Sequence, residues 1–154
     1  MDLNAKLASM NLKLPAAPKP VAVYVPAVRT GNLVFVSGQL PFLDGKLLAT
    51  GVVPTDVTLE AAQAAAKQCA LNGLAVVGDM IGGDWSRLVR IVRVGVFVAS
   101  ANGFTEQPKV ANGASELLGE LFGEAGRHAR AAVGVNVLPL GATVEVELMV
   151  EVAG

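Results

Sequence analysis

Arg130 is the residue whose type and position suggest chemistry most directly. It follows a segment bounded by Gly123 and Gly126 and opens a run rich in valine and alanine, so we expect it at the start of a strand. A guanidinium cannot act as a base, but its rigid fork of donors matches a carboxylate. We therefore expect Arg130 to hold the carboxylate of a ligand, the alternative being a structural ion pair with Glu145 or Glu147.

Glu145 is the candidate catalytic partner of Arg130. Alternate residues of a strand face opposite ways, so the last predicted strand should present Glu145, Glu147 and Glu151 on one polar face. A carboxylate there can accept a proton or orient a water molecule. A solvated or ion-paired carboxylate is the ordinary alternative, and the strand pattern alone does not choose among the three glutamates.

Four further residues are candidates for ligand binding, namely Tyr24, Ser37, Gly38 and Asn112. The hydroxyl of Tyr24 can hydrogen-bond a ligand, although tyrosines in strands more often only pack. The Ser37-Gly38 step can offer backbone N–H groups to an anion or simply turn the chain. Asn112 lies near a predicted helix start, where it can reach into a pocket or cap the helix.

The single histidine and the single cysteine point to no metal site and no nucleophilic site. His128 is interpreted as a loop residue before the strand, because nothing near it in the sequence completes a triad. Cys69 lies on the apolar stripe of a predicted helix, which indicates an inert core thiol. A zinc site would need carboxylates almost alone, and no phosphate-binding glycine motif follows a strand. We expect no metal and no cofactor.

Composition limits the class of protein. The chain has 154 residues, 53% of them hydrophobic and 16% charged, which suits one domain that buries apolar surface in an oligomer. With 12 Lys and Arg against 13 Asp and Glu and no basic tract, we expect no nucleic-acid partner. The lone cysteine favours a reducing compartment, with the cytoplasm as the expectation. No signal peptide or membrane span is predicted.

Periodicity predicts the elements that must position these residues. Residues 1–20 are predicted to be an N-terminal arm that begins with a short helix, and residues 21–154 a single domain. Strands are expected at about 21–28 and 33–36, joined by a turn over residues 29–32, and at about 87–99, 130–137 and 143–152. The segment 42–51 should hold a short third strand and a turn at Asp44-Gly45. Helices are expected at about 59–77, with Thr58 as the N-cap, and at about 109–122. The order βββαβαββ predicts an α+β fold, in which a single mixed sheet carries two helices on one face.

The last two strands are predicted to have one aliphatic and one polar face. Arg130 should share the polar face with the glutamates of the last strand. The aliphatic face would pack under the helices through Val133, Val135 and Val137. Because the chain is so apolar, we expect the polar face to be wrapped against other copies rather than left in water.

Two stretches resemble the RidA/YjgF family, which contains reactive enamine/imine deaminases. The first runs from Tyr24 through Gly31-Asn32 and Ser37-Gly38 to Pro41; the second joins Arg130, the pair Leu138-Pro139 and the strand VEVE at 144–147. The similarity covers about residues 20 to 153. It implies a chorismate-mutase-like fold and a homotrimer with a central β-barrel, the helices outside and the pockets at subunit interfaces.

The resemblance also implies roles for individual residues. Arg130 would hold the substrate carboxylate, Glu145 would orient the attacking water, and the pocket would include Tyr24, Ser37, Gly38 and Asn112. The implied activity is cofactor-free hydrolysis of a 2-imino or enamine acid to a 2-keto acid and ammonia. One alternative is a trimer that binds small carboxylates or keto acids as a sensor without turnover. Another is an endoribonuclease (L-PSP) or translation inhibitor, which the acidic charge balance disfavours.

Overall fold

Five strands form the main sheet of the computed structural model, which describes residues 2–19 and 23–154. In chain order the elements are α1 (Leu3–Ser9), β1 (Ala27–Thr30), β2 (Leu33–Gln39), β3 (Phe42–Leu43), β4 (Lys46–Leu47), α2 (Leu59–Met80), β5 (Leu88–Ala99), α3 (Gln107–Phe122), β6 (Ala129–Val135) and β7 (Val144–Val152). The main sheet has the order β1-β2-β7-β5-β6. Only the β5–β6 pair is parallel, so the sheet is mixed, as predicted.

Both long helices pack on one face of this sheet, which confirms the predicted α+β arrangement. Val94, Val96 and Val98 of β5 are buried beneath them, together with the alternating aliphatic residues of β7. Helix α2 begins at the predicted cap, where the Thr58 hydroxyl accepts a hydrogen bond from the Ala61 N–H. Small buried residues such as Ala62 let α2 approach the strands closely.

The segment predicted as an arm begins with the expected short helix. Leu3 and Leu7 of α1 are buried in the main core, and the Lys6 ammonium donates to the Leu121 carbonyl at the end of α3, at 2.9 Å. Residues 11–16 and Pro18, which follow, line a cleft against β2 and β3. Among the described residues, no helix combines the length and the apolar character needed to cross a bilayer.

Two predictions about the strands need correction. The segment 42–51 does not add a strand to the main sheet; it forms the separate hairpin β3–β4 around the turn Asp44-Gly45. The turn between β1 and β2 is shorter than predicted and consists of Gly31 and Asn32, because Arg29 and Thr30 belong to β1 and pair with β2. The predicted start of that strand at 21–22 lies outside the described residues.

The predicted facing of β6 is wrong. In the parallel β5–β6 register, Arg130 lies beside the buried Val94 and Ala132 beside Val96, so Arg130 is on the helix side of the sheet. Val133 lies beside Phe97 on the opposite side, and nearly half of it is exposed. The sequence pattern misled because the face without helices is also apolar. Further along β6 the helix side has no room for a side chain at Gly134, since a Cβ there would lie 2.7 Å from the Ser100 hydroxyl.

Candidate functional site

Arg130 is held by one of its three guanidinium nitrogens. Its Nη1 donates to the Asn112 side-chain oxygen at 2.9 Å and to the Ser115 hydroxyl at 3.1 Å. Asn112 and Ser115 are three residues apart on α3 and therefore lie on one side of the helix. Within residues 2–19 and 23–154, Nε and Nη2 have no hydrogen-bond partner. These two nitrogens form one edge of the donor fork, and that edge matches a carboxylate.

No carboxylate of the described residues neutralises Arg130. The ion pairs found there join other residues: Arg93 with Glu147 at 3.2 Å, Arg127 with Glu124 at 3.3 Å, and Lys109 with Glu106. The structural ion pair of Arg130 with Glu145 or Glu147 is therefore absent from this part of the chain. Neutral acceptors hold the guanidinium in place, and its positive charge is left for a ligand.

Asn112 contacts Arg130 from within a helix, not from a helix end. Helix α3 begins at Gln107, with Glu106 at its N-cap position, so the alternative role of Asn112 as a cap is wrong. The resemblance assigned Asn112 and Arg130 to one pocket, and the structure joins them by a direct hydrogen bond. We call Arg130, Asn112, Ser115 and His128 the arginine cluster.

Ser115 and His128 were missed as site residues. His128 lies in the loop before β6, as predicted, but its Nε2 is 2.9 Å from the Ser115 hydroxyl and its Nδ1 is 2.6 Å from the Gly126 carbonyl. Together with Arg130 they line a surface cleft of about 300 Å³. A signal was present in the sequence: Asn112 and Ser115 have helical i,i+3 spacing, and His128 and Arg130 have strand i,i+2 spacing.

The other predicted residues lie on β7, on β2 and just before β1. Ser37 and Gly38 lie where the β2–β7 register shifts, and this irregularity brings Gly38 against Glu145. A Cβ on Gly38 would lie 2.0 Å from Glu145 Oε1, so glycine is needed for the glutamate to keep its position. Tyr24 and Gly38 line a cleft of about 850 Å³ that also borders α2 and whose lining does not include Glu145. We call Tyr24, Ser37, Gly38 and Glu145 the glutamate cluster.

Ser37 uses both its hydroxyl and its backbone N–H to bind carbonyl groups of the chain itself. Its hydroxyl donates to the Val25 carbonyl and its backbone N–H to the Pro26 carbonyl, both at 2.9 Å. The N–H of Ser37 is thus engaged, which removes half of the predicted anion-binding pair Ser37-Gly38. These bonds fasten the segment that carries the half-exposed Tyr24 to β2.

Glu145 is the carboxylate with the environment of a general base. Burial raises its pKa, and the nearby Glu147 raises it further. The charged form is disfavoured in both cases, by desolvation in the first and by like-charge repulsion in the second. A raised carboxyl pKa brings the group closer to the neutral pH at which a base works best. This distinguishes Glu145 from Glu147, whose carboxylate is paired with Arg93.

The arginine cluster and the glutamate cluster are separate within one chain. Glu145 is aligned with Phe97 of β5 and hence with Val133 of β6, three residues beyond Arg130. Strand spacings place the Cα atoms of Arg130 and Glu145 about 14 Å apart. Their side chains also point to opposite faces of the sheet, which corrects the prediction of a shared face. A single chain therefore cannot apply both residues to one small substrate.

Cys69 and the acidic residues supply no further reactive centre. The thiol of Cys69 is buried, as predicted, and burial together with Glu145 raises its pKa well above the ordinary value. In the part of the chain that the structure describes, no group of three or more His, Cys, Asp or Glu side chains is placed to hold a metal ion.

Comparison with known proteins adds to this geometry. Residues 4–152 match the family model described as "YjgF/chorismate_mutase-like, putative endoribonuclease". Protein TCP17 of Trypanosoma cruzi is 47% identical over 148 residues, 96% of this chain and 92% of that protein. A 2-iminobutanoate/2-iminopropanoate deaminase of Dermatophagoides farinae is 31% identical over 90% of this chain and 93% of its own.

Solved structures agree with the fold. A crystal structure of an Agrobacterium tumefaciens protein of unknown function superimposes with a TM-score of 0.93 at 46% identity, covering 98% of this chain and 92% of that one. The family match, which spans nearly the whole chain, and the mixed sheet with helices on one face lead to the same assignment. The chain belongs to the RidA/YjgF family, with its chorismate-mutase-like fold.

Proposed function

We propose that this protein hydrolyses 2-imino acids to 2-keto acids and ammonia without a cofactor. The observation that carries the proposal is the free Nε–Nη2 edge of Arg130, a guanidinium held by neutral acceptors and paired with no carboxylate of the described residues. The fork would bind the substrate carboxylate, which sits one bond from the C=N carbon. Binding it would fix the reacting carbon in place.

Glu145 would supply the proton chemistry. It takes a proton from a water molecule while the water oxygen bonds to the C=N carbon, and the nitrogen leaves as ammonia after protonation. The overall reaction converts R–C(=NH)–COO⁻ and water into R–C(=O)–COO⁻ and NH₃. The carbon of an imine is already electrophilic, so the work of the protein is orientation and charge stabilisation. Its relative from Dermatophagoides farinae bears the name of this activity.

The complete site would form between two copies of the chain in a homotrimer. β6, with Arg130, is one edge strand of the sheet, whereas Glu145 lies on the central strand β7 and Ser37 and Gly38 on β2, next to the other edge. The face without helices exposes apolar side chains, including Phe35 and Val133, which a barrel of three sheets would bury. A closed ring brings the β6 edge of one copy to the opposite edge of the next. Each pocket would then combine both clusters.

Ammonia release from enzymatically generated 2-iminobutanoate tests the activity. The purified protein should accelerate release above the rate of spontaneous hydrolysis, and 2-oxobutanoate should accumulate in equal amount. Binding of 2-oxobutanoate without acceleration would identify a sensor instead and would contradict the hydrolase.

Light scattering coupled to size exclusion tests the trimer. The chain mass is 15.7 kDa, and we expect a particle of three times this mass, because the arginine and glutamate clusters meet only across copies. A monomer that retains full deaminase activity would contradict the interfacial site.

The pH profile of kcat/KM reports on Glu145. A base must be ionised, so activity should fall as the pH drops through the pKa of Glu145, which burial and Glu147 raise from its ordinary value. Glu147→Gln removes the like charge and should move this acid limb to lower pH. Glu151→Gln, on the same strand face but about 20 Å along, is the matched control and should leave the limb in place. An acid limb that is the same in all three proteins would contradict the role of Glu145.

A further inference from the structure

A directed chain of hydrogen bonds runs from Arg130 to the backbone. The Gly126 carbonyl can only accept, so the His128 Nδ1 that lies 2.6 Å from it carries the proton. In the neutral ring Nε2 is then an acceptor, and the Ser115 hydroxyl, 2.9 Å away, donates to it. The Ser115 oxygen keeps its lone pairs for the Arg130 Nη1–H at 3.1 Å. Every donor in this chain points away from the guanidinium.

We propose that His128 is a positioning residue for Arg130, acting through Ser115, and that this relay holds the Nε–Nη2 edge ready for a carboxylate. The inference rests on the proposed function only for the nature of the ligand. His128 fixes the direction of the Ser115 hydroxyl, so its oxygen always faces the arginine. Without that acceptor the hydroxyl rotates, and the arginine side chain regains rotamer freedom that ligand binding must then remove.

Neutral partners suit this role better than a carboxylate would. A carboxylate would hold the arginine but cancel its charge, whereas Asn112, Ser115 and neutral His128 orient it and leave the charge intact. Burial lowers the pKa of His128; the Gly126 hydrogen bond opposes this shift, and the Arg130 cation adds to it. The relay requires a neutral His128, and the surroundings of the imidazole favour that neutral form.

The geometry argues against Ser115 as a nucleophile. A serine–histidine pair is the core of many hydrolytic sites, where a carboxylate orients the imidazole. Here a backbone carbonyl takes that place, and the serine oxygen already accepts a hydrogen bond from Arg130. One of the two lone pairs of the serine oxygen is engaged by the arginine, and no carboxylate orients the imidazole, which favours positioning.

A double-mutant cycle on carboxylate affinity tests the relay. The Kd of 2-oxobutanoate is measured by calorimetry for wild type, Ser115→Ala, His128→Leu and the double variant. Ser115→Ala should raise Kd about tenfold, the loss of one hydrogen bond to a charged group, with kcat changed less than about twofold. His128→Leu should raise Kd about fivefold in the wild-type background and not at all in Ser115→Ala.

Ser115→Thr keeps the hydroxyl and should restore the wild-type affinity. Equal effects of His128→Leu with and without the Ser115 hydroxyl would overturn the proposal, because His128 would then act independently of Ser115. Failure of Ser115→Thr to restore binding when its fold is intact would also overturn it.

The tautomer of His128 tests the relay in the unmodified protein, whatever the variants do. Long-range proton–nitrogen NMR spectra at neutral pH should show Nδ1 protonated and Nε2 bare. The opposite tautomer would overturn the relay. This result does not depend on turnover. If the protein has no deaminase activity but shows the expected tautomer, and if the effect of His128→Leu requires the Ser115 hydroxyl, the proposed hydrolase is refuted and the relay is supported.

Discussion

Arg130→Ala is expected to lower kcat/KM for 2-iminobutanoate by about 10² to 10⁴-fold. The free guanidinium edge offers two charge-assisted hydrogen bonds to a carboxylate, each contributing about 1.5–3 kcal/mol, and a rate ratio converts directly into the transition-state stabilisation that is lost. Since Arg130 lies at the surface on an edge strand, the fold should survive its truncation. Steady-state ammonia release at several substrate concentrations measures the effect.

Two further variants show whether charge or geometry matters. Arg130→Lys keeps the positive charge but loses the fork, so we expect a loss between those of wild type and Arg130→Ala. Arg87→Ala removes one guanidinium just before β5, roughly 20 Å from the Val94 position beside Arg130, and should retain wild-type activity. Equal activity of Arg130→Ala and wild type would refute the carboxylate-binding role.

Gly113→Ala is expected to destabilise the protein by about 3 kcal/mol or more. A Cβ at this position would lie 2.0 Å from the backbone oxygen of Gln63 in α2, and no rotamer change can relieve a clash with backbone. Helices α2 and α3 would have to separate, and the melting temperature should fall by roughly 6–12 °C. The shift of α3 would also displace Asn112, the neighbour that holds Arg130, so carboxylate affinity should drop with stability.

Gly119→Ala is the matched control in the same helix. No atom lies within 4 Å of a Cβ at Gly119, so the only change is the better helix propensity of alanine, worth about 0.5–1 kcal/mol. Thermal unfolding should therefore show a small gain for Gly119→Ala and a large loss for Gly113→Ala. Losses of similar size at both positions would mean that the close approach of α2 and α3 is not what requires glycine.

The fold was largely predictable because local signals agreed with one another. The Thr58 cap, the helical stripe through Cys69 and the alternation of β7 each have a period or a type that only one structure satisfies. The predicted facing of β6 was wrong because alternation separates the two faces of a strand but does not show which face meets the helices. In this strand the face without helices is also apolar. The prediction that segment 42–51 adds a strand to the main sheet was wrong because a turn at Asp44-Gly45 indicates a hairpin but does not show whether that hairpin joins a larger sheet.

The candidate site was predictable residue by residue but not as an arrangement. A motif match singled out Arg130 and Glu145, yet their separation depends on strand order and register, which no local pattern encodes. The relay through Ser115 and His128 depends on how α3 packs beside β6. Spacing puts each pair on one side of its element, but only the packing brings the two pairs together.

Mixed trimers of Arg130→Ala and Glu145→Gln chains test whether Arg130 of one copy and Glu145 of the next act in one site. Each variant alone should be nearly inactive, because every site lacks one of the two groups. Random mixing of equal amounts in a closed three-subunit ring leaves about a quarter of the sites with an intact Arg130 from one copy and an intact Glu145 from the next. Ammonia release from the co-expressed mixture should therefore recover to about a quarter of the wild-type rate. A mixture that forms trimers of both chains and stays as inactive as its parents would contradict a site shared between copies.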